Sequence, residues 1–228
     1  MVYVKGLGEI EAVAFDIDGT LYPQWRLTVR ALFRYIAHGF FFLFYGFVRN
    51  EMHALPQHDN FRQVQAKKMA GWLRCSPEEA ERRLNDIVYK GLEPYFERIA
   101  CYYYVPETFR KLKEAGFKLA LLSDFPPEQK GDVWGVRQYC SVVLGTEQLG
   151  ALKPDPYSFL KMADELGVEP SRILYVGNSL KYDVRGSHNA GMKCAYLLPF
   201  WRRIFNKPLK EAEISFSNYR QLLNIVLE

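Results

Sequence analysis

Near its start the chain reads Ala12-Val13-Ala14-Phe15-Asp16-Ile17-Asp18-Gly19-Thr20, an apolar run that ends abruptly in acidic residues. The four apolar residues 12–15 are typical of a short strand buried on both faces of a sheet. Two carboxylates, Asp16 and Asp18, follow where that strand ends, and Gly19 permits a tight turn. This pattern predicts a buried parallel strand that delivers two acidic side chains to one edge of a sheet.

Downstream of residue 105, segments typical of strands and helices alternate at short intervals. The predicted strands are residues 118–122, 142–144, 173–176 and 194–198, and the predicted helices are residues 107–115, 157–166, 180–190 and 219–226. Such alternation indicates a parallel sheet with helices on both faces. We therefore predict an α/β fold with a Rossmann-like parallel sheet core, to which the strand at 12–15 also belongs.

Residues 22–100 have a different texture, with apolar residues at helical spacing and no convincing strand. Ser76-Pro77-Glu78-Glu79 supplies an N-cap residue, a proline at the first helical position and an acid three residues after the cap, which predicts a helix running to Val88. We predict a core domain made of residues 1–21 and 101–228, interrupted by an inserted all-helical domain of residues 22–100.

Aromatic residues make up 15% of the 228 residues, and six of them fall within residues 39–48. A membrane-spanning helix needs about 20 predominantly apolar residues, so this run of ten predicts no transmembrane segment. The main interpretation is that the run forms the core of the inserted domain. A homodimer interface, an apolar wall of a substrate pocket and an interfacial contact with a membrane remain alternatives.

Charge and cysteine content exclude several classes of protein. The formal net charge of +4 is mild, and no run of five basic residues occurs, so no nucleic-acid partner is predicted. Residues 22–100 hold 12 Lys and Arg against 8 Asp and Glu, which is either chance or an insertion that faces anions. The four cysteines occur singly, and residues 1–11 do not resemble a signal peptide, so we expect a cytoplasmic protein without disulfides or zinc.

The side chains best suited to chemistry all follow predicted strands, where the loops of a parallel sheet converge. They are Asp16 and Asp18 after the first strand, Ser123 and Asp124 after the second, Lys153 after the third, and Asn178, Ser179 and Asp183 after the fourth. Two carboxylates one residue apart repel each other unless a cation neutralises them, and hard oxygen ligands favour Mg²⁺. One carboxylate could attack phosphorus while its neighbour moves protons, and a serine hydroxyl and a lysine could bind phosphoryl oxygens.

Four sequence motifs resemble, in order and approximate spacing, those of the haloacid dehalogenase (HAD) superfamily. They are Asp16-Ile-Asp-Gly-Thr-Leu, Ser123, Lys153-Pro-Asp-Pro and Gly177-Asn-Ser-Leu-Lys-Tyr-Asp183. Residues 150–159 and 186–191 look like the subfamily that contains phosphoglycolate phosphatase and β-phosphoglucomutase. The resemblance implies a core with a helical cap and Mg²⁺-dependent hydrolysis of a small phosphorylated metabolite through an aspartyl-phosphate.

The resemblance also implies a role for each motif residue. Asp16 would be the nucleophile and a Mg²⁺ ligand, and Asp18 would exchange protons and ligate Mg²⁺ through its backbone carbonyl. The phosphoryl group would be bound by Thr20, Ser123, Asp124 and Lys153, and the metal would also be bound by Asn178 and Asp183. The acid at Asp18 argues against dehalogenation, because the dehalogenases of this superfamily lack an acid at that position.

One position departs from the family pattern. Asn178 occupies the place where the family commonly has an acidic Mg²⁺ ligand, so the metal would lose one negatively charged ligand unless Asp183 compensates. Asp183 could instead form a salt bridge with Lys153. Three functions therefore stay open: a phosphatase, a sugar-phosphate mutase with the same core motifs, and a weakly active phosphate-binding protein.

Overall fold

A computed structural model describes residues 2–4, 6–205 and 207–228. Its strands are β1 Val2–Val4, β2 Gly8–Ile10, β3 Ala12–Phe15, β4 Lys118–Ser123, β5 Val142–Gly145, β6 Ile173–Gly177, β7 Lys193–Leu197 and β8 Ile214–Phe216. The first two form an antiparallel pair, and the other six form a parallel sheet in the order β5-β4-β3-β6-β7-β8. The strand β3, which carries the two carboxylates, is therefore central in the sheet.

Between β3 and β4 the described chain is helical, as the sequence predicts. The helices are α1 Gln24–Arg30, α2 Leu32–Ala37, α3 Gly39–Met52, α4 Phe61–Leu73, α5 Pro77–Leu84 and α6 Lys90–Phe96. Helix α5 begins at the predicted cap, where the Ser76 hydroxyl accepts a hydrogen bond from the Glu79 amide. It passes directly into a π-helical segment, Asn85–Tyr89. These elements form the inserted cap, and its predicted boundaries at residues 22 and 100 remain a prediction.

The second part of the core supplies the remaining helices. They are α7 Val105–Glu114, α8 Thr146–Leu149, α9 Pro156–Leu166, α10 Arg185–Asn189, α11 Phe200–Ile204 and α12 Tyr219–Leu227. Short 3₁₀ turns span Pro127–Lys130, Arg137–Tyr139 and Pro170–Arg172, and a π-helical segment spans Leu180–Val184.

Alternation along the central strand builds two cores, one on each face of the sheet. Ala12 and Ala14 face α9 and belong to the same apolar cluster as Phe159. Phe15 faces the opposite side, where its ring centroid lies 4.3 Å from that of Phe109 on α7. Each of these buried phenylalanines contributes roughly 2 kcal/mol to folding by leaving water. Burial on both faces explains why strand β3 contains no polar residue.

The predicted α/β fold with an inserted helical cap is confirmed, with differences at the short elements. Strands β1, β2 and β8 have three residues each, too few for a recognisable alternation pattern, and the sequence analysis did not find them. The short helices α8 and α11 were also missed. The helix predicted for residues 180–190 begins as a π-helical segment, in which the Asp183 and Val184 amides both bond to the Ser179 carbonyl.

The aromatic run of residues 39–48 has two faces. Phe41, Tyr45 and Val48 are buried in the cap, as expected for core residues, whereas Phe40 and Phe47 point outward. In the part of the chain that the structure describes, no helix combines the length and the apolar character required to cross a bilayer.

Candidate active site

Asp16 lies at the carboxyl end of β3 and is almost completely buried. One of its oxygens, Oδ1, accepts a hydrogen bond from Lys153 Nζ at 2.6 Å, and Oδ2 lies 2.8 Å from Thr20 Oγ1. Burial raises the pKa of Asp16 to about 7, with Lys153 opposing the rise and the nearby carboxylates of Asp183 and Asp18 adding to it. A ligand that removes this penalty would return Asp16 to its ionised form.

Lys153 joins two of the predicted motifs. Its Nζ also donates to Asp183 Oδ1 at 2.8 Å, so the lysine bridges two buried carboxylates. Burial alone would lower the pKa of Lys153, but Asp16 and Asp183 hold it well above its usual value. The other oxygen of Asp183 accepts hydrogen bonds from the backbone amides of Asn178 and Ser179, at 3.0 and 2.9 Å. Both oxygens of Asp183 are therefore engaged in holding Lys153 and the loop after β6.

Asp18 has a different set of partners from Asp16. Its Oδ1 accepts from the Tyr22 hydroxyl at 2.7 Å, and its Oδ2 lies 2.9 Å from both Ser123 Oγ and Lys130 Nζ. Burial alone would raise the pKa of Asp18, but Lys130 and the hydrogen bonds from Tyr22 and Ser123 hold it below its ordinary value. The surroundings therefore raise the pKa of Asp16 and lower the pKa of Asp18.

Ser123 and Asp124 lie where β4 ends, as predicted. The Ser123 hydroxyl is fully buried and accepts hydrogen bonds from Lys130 Nζ and the Phe125 amide while it donates to Asp18. Asp124 Oδ1 accepts from the Thr146 hydroxyl at 2.8 Å and from the Lys153 amide at 3.1 Å. The Asp124 side chain therefore fixes the loop that carries Lys153.

A metal site needs oxygen atoms that converge, and the structure offers a small set. The Thr20 hydroxyl lies 2.8 Å from Asp16 Oδ2 and 3.2 Å from Asn178 Oδ1, so these two oxygens meet at one group. Among the described residues, no three His, Cys, Asp or Glu side chains converge as a metal-binding cluster. Mg²⁺ commonly uses one or two carboxylates and keeps water or phosphate oxygens as its other ligands. A donor set of Asp16 and Asn178 fits that kind of site.

Sequence reasoning missed the residues that line the other side of the site. Lys130 lies in the 3₁₀ turn after β4, and its buried Nζ packs 5.4 Å from the Phe96 ring centroid and 5.2 Å from that of Phe125. Tyr22 follows the first motif, and its hydroxyl donates a hydrogen bond to Asp18. Neither Lys130 nor Tyr22 belongs to a motif. Their short distance in sequence from the end of a strand is the one signal that could have indicated a place in the site.

The cap also reaches into the site. Arg49 on α3 pairs with the buried carboxylate of Glu147 on α8 and donates to the backbone carbonyl of Asp124 at 3.0 Å. Tyr89, in the π-helical segment of the cap, lies 2.8 Å from Glu147 Oε2. His53 at the end of α3 lies 2.6 Å from the Lys153 carbonyl. Buried polar contacts therefore connect the cap to the loops that carry the core residues.

These strand-end carboxylates, the lysine bridge and the helical cap define a hydrolase of the HAD type. A family model described as haloacid dehalogenase-like hydrolase matches residues 10–191. The chain belongs to this family, which confirms the predicted superfamily and the predicted enzyme class.

Relatives of known name carry the likeness across most of the chain. A glyceraldehyde 3-phosphate phosphatase from Methanopyrus kandleri is 29% identical and covers 80% of this chain and 82% of its own length. A phosphoglycolate phosphatase from Pasteurella multocida is 26% identical over 96% of this chain and 99% of its own length. They support the predicted likeness to the phosphoglycolate phosphatase subfamily.

Solved structures share the fold. A HAD phosphatase from Thermococcus onnurineus, 24% identical, covers 95% of this chain and 97% of its own with a TM-score of 0.63. An L-2-haloacid dehalogenase from Xanthobacter autotrophicus, 19% identical, covers 95% of this chain and 98% of its own with a TM-score of 0.64. Because phosphatase and dehalogenase share this architecture, the choice of reaction depends on the site residues.

Proposed function

We propose that this chain is a Mg²⁺-dependent phosphatase that hydrolyses a small phosphomonoester through an aspartyl-phosphate on Asp16. The observation that carries the proposal is the pair of carboxylates at the end of β3, with Asp16 bridged to Lys153 and Asp18 bound by Ser123 and Lys130. An acid at Asp18 suits phosphoryl transfer, in which protons must reach the leaving oxygen and leave the attacking water. The phosphatase names of the relatives from Methanopyrus kandleri and Pasteurella multocida support the same reaction.

The proposed reaction has two steps, formation of the aspartyl-phosphate and its hydrolysis. In the first, an Asp16 oxygen attacks phosphorus, the bond from phosphorus to the leaving oxygen breaks, and Asp18 gives a proton to that oxygen. In the second, Asp18 takes a proton from water as the water attacks phosphorus, and the bond to Asp16 breaks to release inorganic phosphate. Asp18 must be protonated for the first step and ionised for the second. Lys130, 2.9 Å from Asp18 Oδ2, lowers the pKa of Asp18 and so favours the ionised form that the second step needs.

We propose that Asp16, Asn178 and the backbone carbonyl of Asp18 hold the metal. When bound, Mg²⁺ would favour the ionised form of Asp16 and neutralise charge on the phosphoryl oxygens. Asp183 would hold Lys153 in place, because its two oxygens are already engaged by Lys153 and by backbone amides. Ser123 and Lys153 would bind the transferred phosphoryl group by a hydrogen bond and a positive charge.

The test is release of inorganic phosphate from a panel of phosphomonoesters, with Mg²⁺ and then with a chelator. Asp16→Asn should lower kcat/KM by at least about 10³-fold because the amide cannot act as the nucleophile. The matched control is Asp164→Asn, whose carboxylate is exposed on α9. Mass spectrometry of acid-quenched protein should find one added phosphoryl group on Asp16. Turnover that survives in Asp16→Asn would contradict the proposal, and an isomerised sugar phosphate as product would identify a mutase.

A further inference from the structure

Large apolar side chains are exposed in two segments of this protein. Among the described residues, eight exposed large hydrophobic residues lie between residues 25 and 47, and four lie between residues 200 and 205. We call these twelve residues the aromatic face. Phe33 is 86% exposed, Phe40 80% and Phe200 73%. Scattered apolar residues are normal on a protein surface, but a cluster of this size marks a surface that binds something.

The exposed apolar residues of the first segment recur at regular intervals in the sequence. Trp25, Val29 and Phe33 are four residues apart, and Ile36, Phe40, Leu43 and Phe47 continue at intervals of three and four. Helices α1, α2 and α3 are separated only by single residues, Ala31 and His38. Because residues three and four apart share one side of a helix, each of the three helices presents its exposed apolar residues on one side.

The two segments meet beside the active site. Trp25 and Arg26 from the start of the cap and Phe200 and Arg203 from α11 line one cleft of about 630 Å³. The same cleft reaches Gly19 in the loop after β3 and Asn178 after β6. The aromatic face therefore adjoins an opening that leads to the candidate metal ligands.

Charge distinguishes this surface from the rest of the protein. Residues 24–50 and 199–210 contain four Arg or Lys each and no Asp or Glu, while all other residues hold 22 basic against 26 acidic ones. The two segments are therefore +8 by sequence and the remainder is −4; Arg49 is buried against Glu147, so the other seven cations are the ones that can charge the surface. Arg26, Arg34 and Arg202 donate to backbone carbonyls, and in the described part of the chain none of the three lies within ion-pair distance of a carboxylate.

We propose that the aromatic face docks this protein on the surface of an anionic lipid bilayer. Phenylalanine and tryptophan enter the boundary between headgroups and acyl chains, while arginine and lysine are attracted to anionic headgroups. A second copy of the chain fits less well, because a symmetric dimer would bring two strongly basic surfaces together. Docking places the cleft at the bilayer surface and requires no membrane-spanning helix.

The experiment is flotation of the full chain with vesicles of phosphatidylcholine alone or mixed with phosphatidylglycerol. We expect binding to the mixed vesicles that weakens as salt is raised. The double variant Phe33→Ser, Phe40→Ser should lower vesicle affinity on the order of tenfold or more, because it removes two exposed rings from the contact. Leu160→Ser, an exposed apolar residue on α9 outside the aromatic face, should bind as the wild type does.

Thermal unfolding and activity on a soluble phosphomonoester separate a docking defect from misfolding, since Phe33 and Phe40 lie outside the catalytic residues. Wild-type protein that fails to bind the mixed vesicles would overturn the proposal. So would a dimer in light scattering that the same double variant converts to a monomer, because the aromatic face would then be a self-interface. The proposal does not rest on the phosphatase reaction, and vesicle binding is read out without turnover.

Discussion

Two buried lysines stand on opposite sides of the candidate active site, and their surroundings differ. Lys153 bridges Asp16 and Asp183, all three held by loops at the ends of core strands. Lys130 forms an ion pair with Asp18 and a hydrogen bond to Ser123, and it packs against the ring of Phe96 from the cap. The ammonium of Lys153 therefore lies between two core carboxylates, with the cap residue His53 at its backbone carbonyl, whereas the ammonium of Lys130 itself packs against the cap.

The difference shows how one site can be rigid on one side and adjustable on the other. Removing Lys153 would leave two buried carboxylates facing each other, so its geometry is held by strong mutual constraint. Lys130 contacts one carboxylate, one hydroxyl and two aromatic rings, of which Phe96 belongs to the cap, so a movement of the cap would change the packing of Lys130. We expect substitutions on the two sides to separate stability from catalysis.

The largest effect is expected for Lys153→Met. Loss of the ammonium leaves Asp16 and Asp183 buried without a counter-charge, which should lower the free energy of unfolding by about 3 kcal/mol and kcat/KM by at least about 10³-fold. Urea unfolding and phosphate release measure the two losses. The control is Lys161→Met, a partly exposed lysine on α9. A Lys153→Met variant with wild-type stability would show that the bridge from Lys153 to Asp16 and Asp183 does not stabilise the fold.

A smaller effect is expected for Lys130→Met. Asp18 loses the cation that favours its ionised form, so kcat should fall by roughly 10²-fold while KM changes less. The measurement is steady-state phosphate release with the same substrate. Lys130→Arg keeps the charge and should recover part of kcat. If Lys130→Met and Lys130→Arg lower kcat/KM equally and leave kcat unchanged, Lys130 acts in substrate binding instead.

The smallest effect is expected for Asn178→Asp, which restores the acid that the family commonly has. A second carboxylate should tighten Mg²⁺ binding, lowering the concentration for half-maximal activity on the order of tenfold. Titration of activity with Mg²⁺ measures this shift, and Asn189→Asp on α10 is the matched control. An unchanged Mg²⁺ requirement would mean that Asn178 is not a ligand.

The sequence predicts the core residues of the site better than the contacts between the core and the cap. Strand β3 and its two acids were found because a strand buried on both faces must be a continuous apolar run, and the loop that follows it must be polar. Lys153 was found because it lies in a motif. The six-stranded sheet followed from the alternation of strands and helices, apart from β8, which is too short to show a period.

Contacts between the cap and the core leave no detectable pattern in the sequence. Lys130 reaches Asp18 only because a 3₁₀ turn folds beneath the cap, and Arg49 meets Glu147 across 98 positions of sequence. Arg49 directly follows the aromatic run of residues 39–48, and nothing in the sequence marks it as buried. Such contacts depend on how two domains are placed, and single-sequence periodicity carries no information about placement.

The buried contacts of Arg49, Tyr89 and Glu147 constrain how the cap can separate from the core. Fully parted, the three groups exchange one another for water at small net change in free energy. Partly parted, they would leave charges in a dry gap, which is strongly unfavourable. Opening of the cap would therefore be a two-state switch rather than a gradual movement. Under the proposed function, the rate of that switch would place an upper limit on turnover that faster chemistry at Asp16 could not exceed.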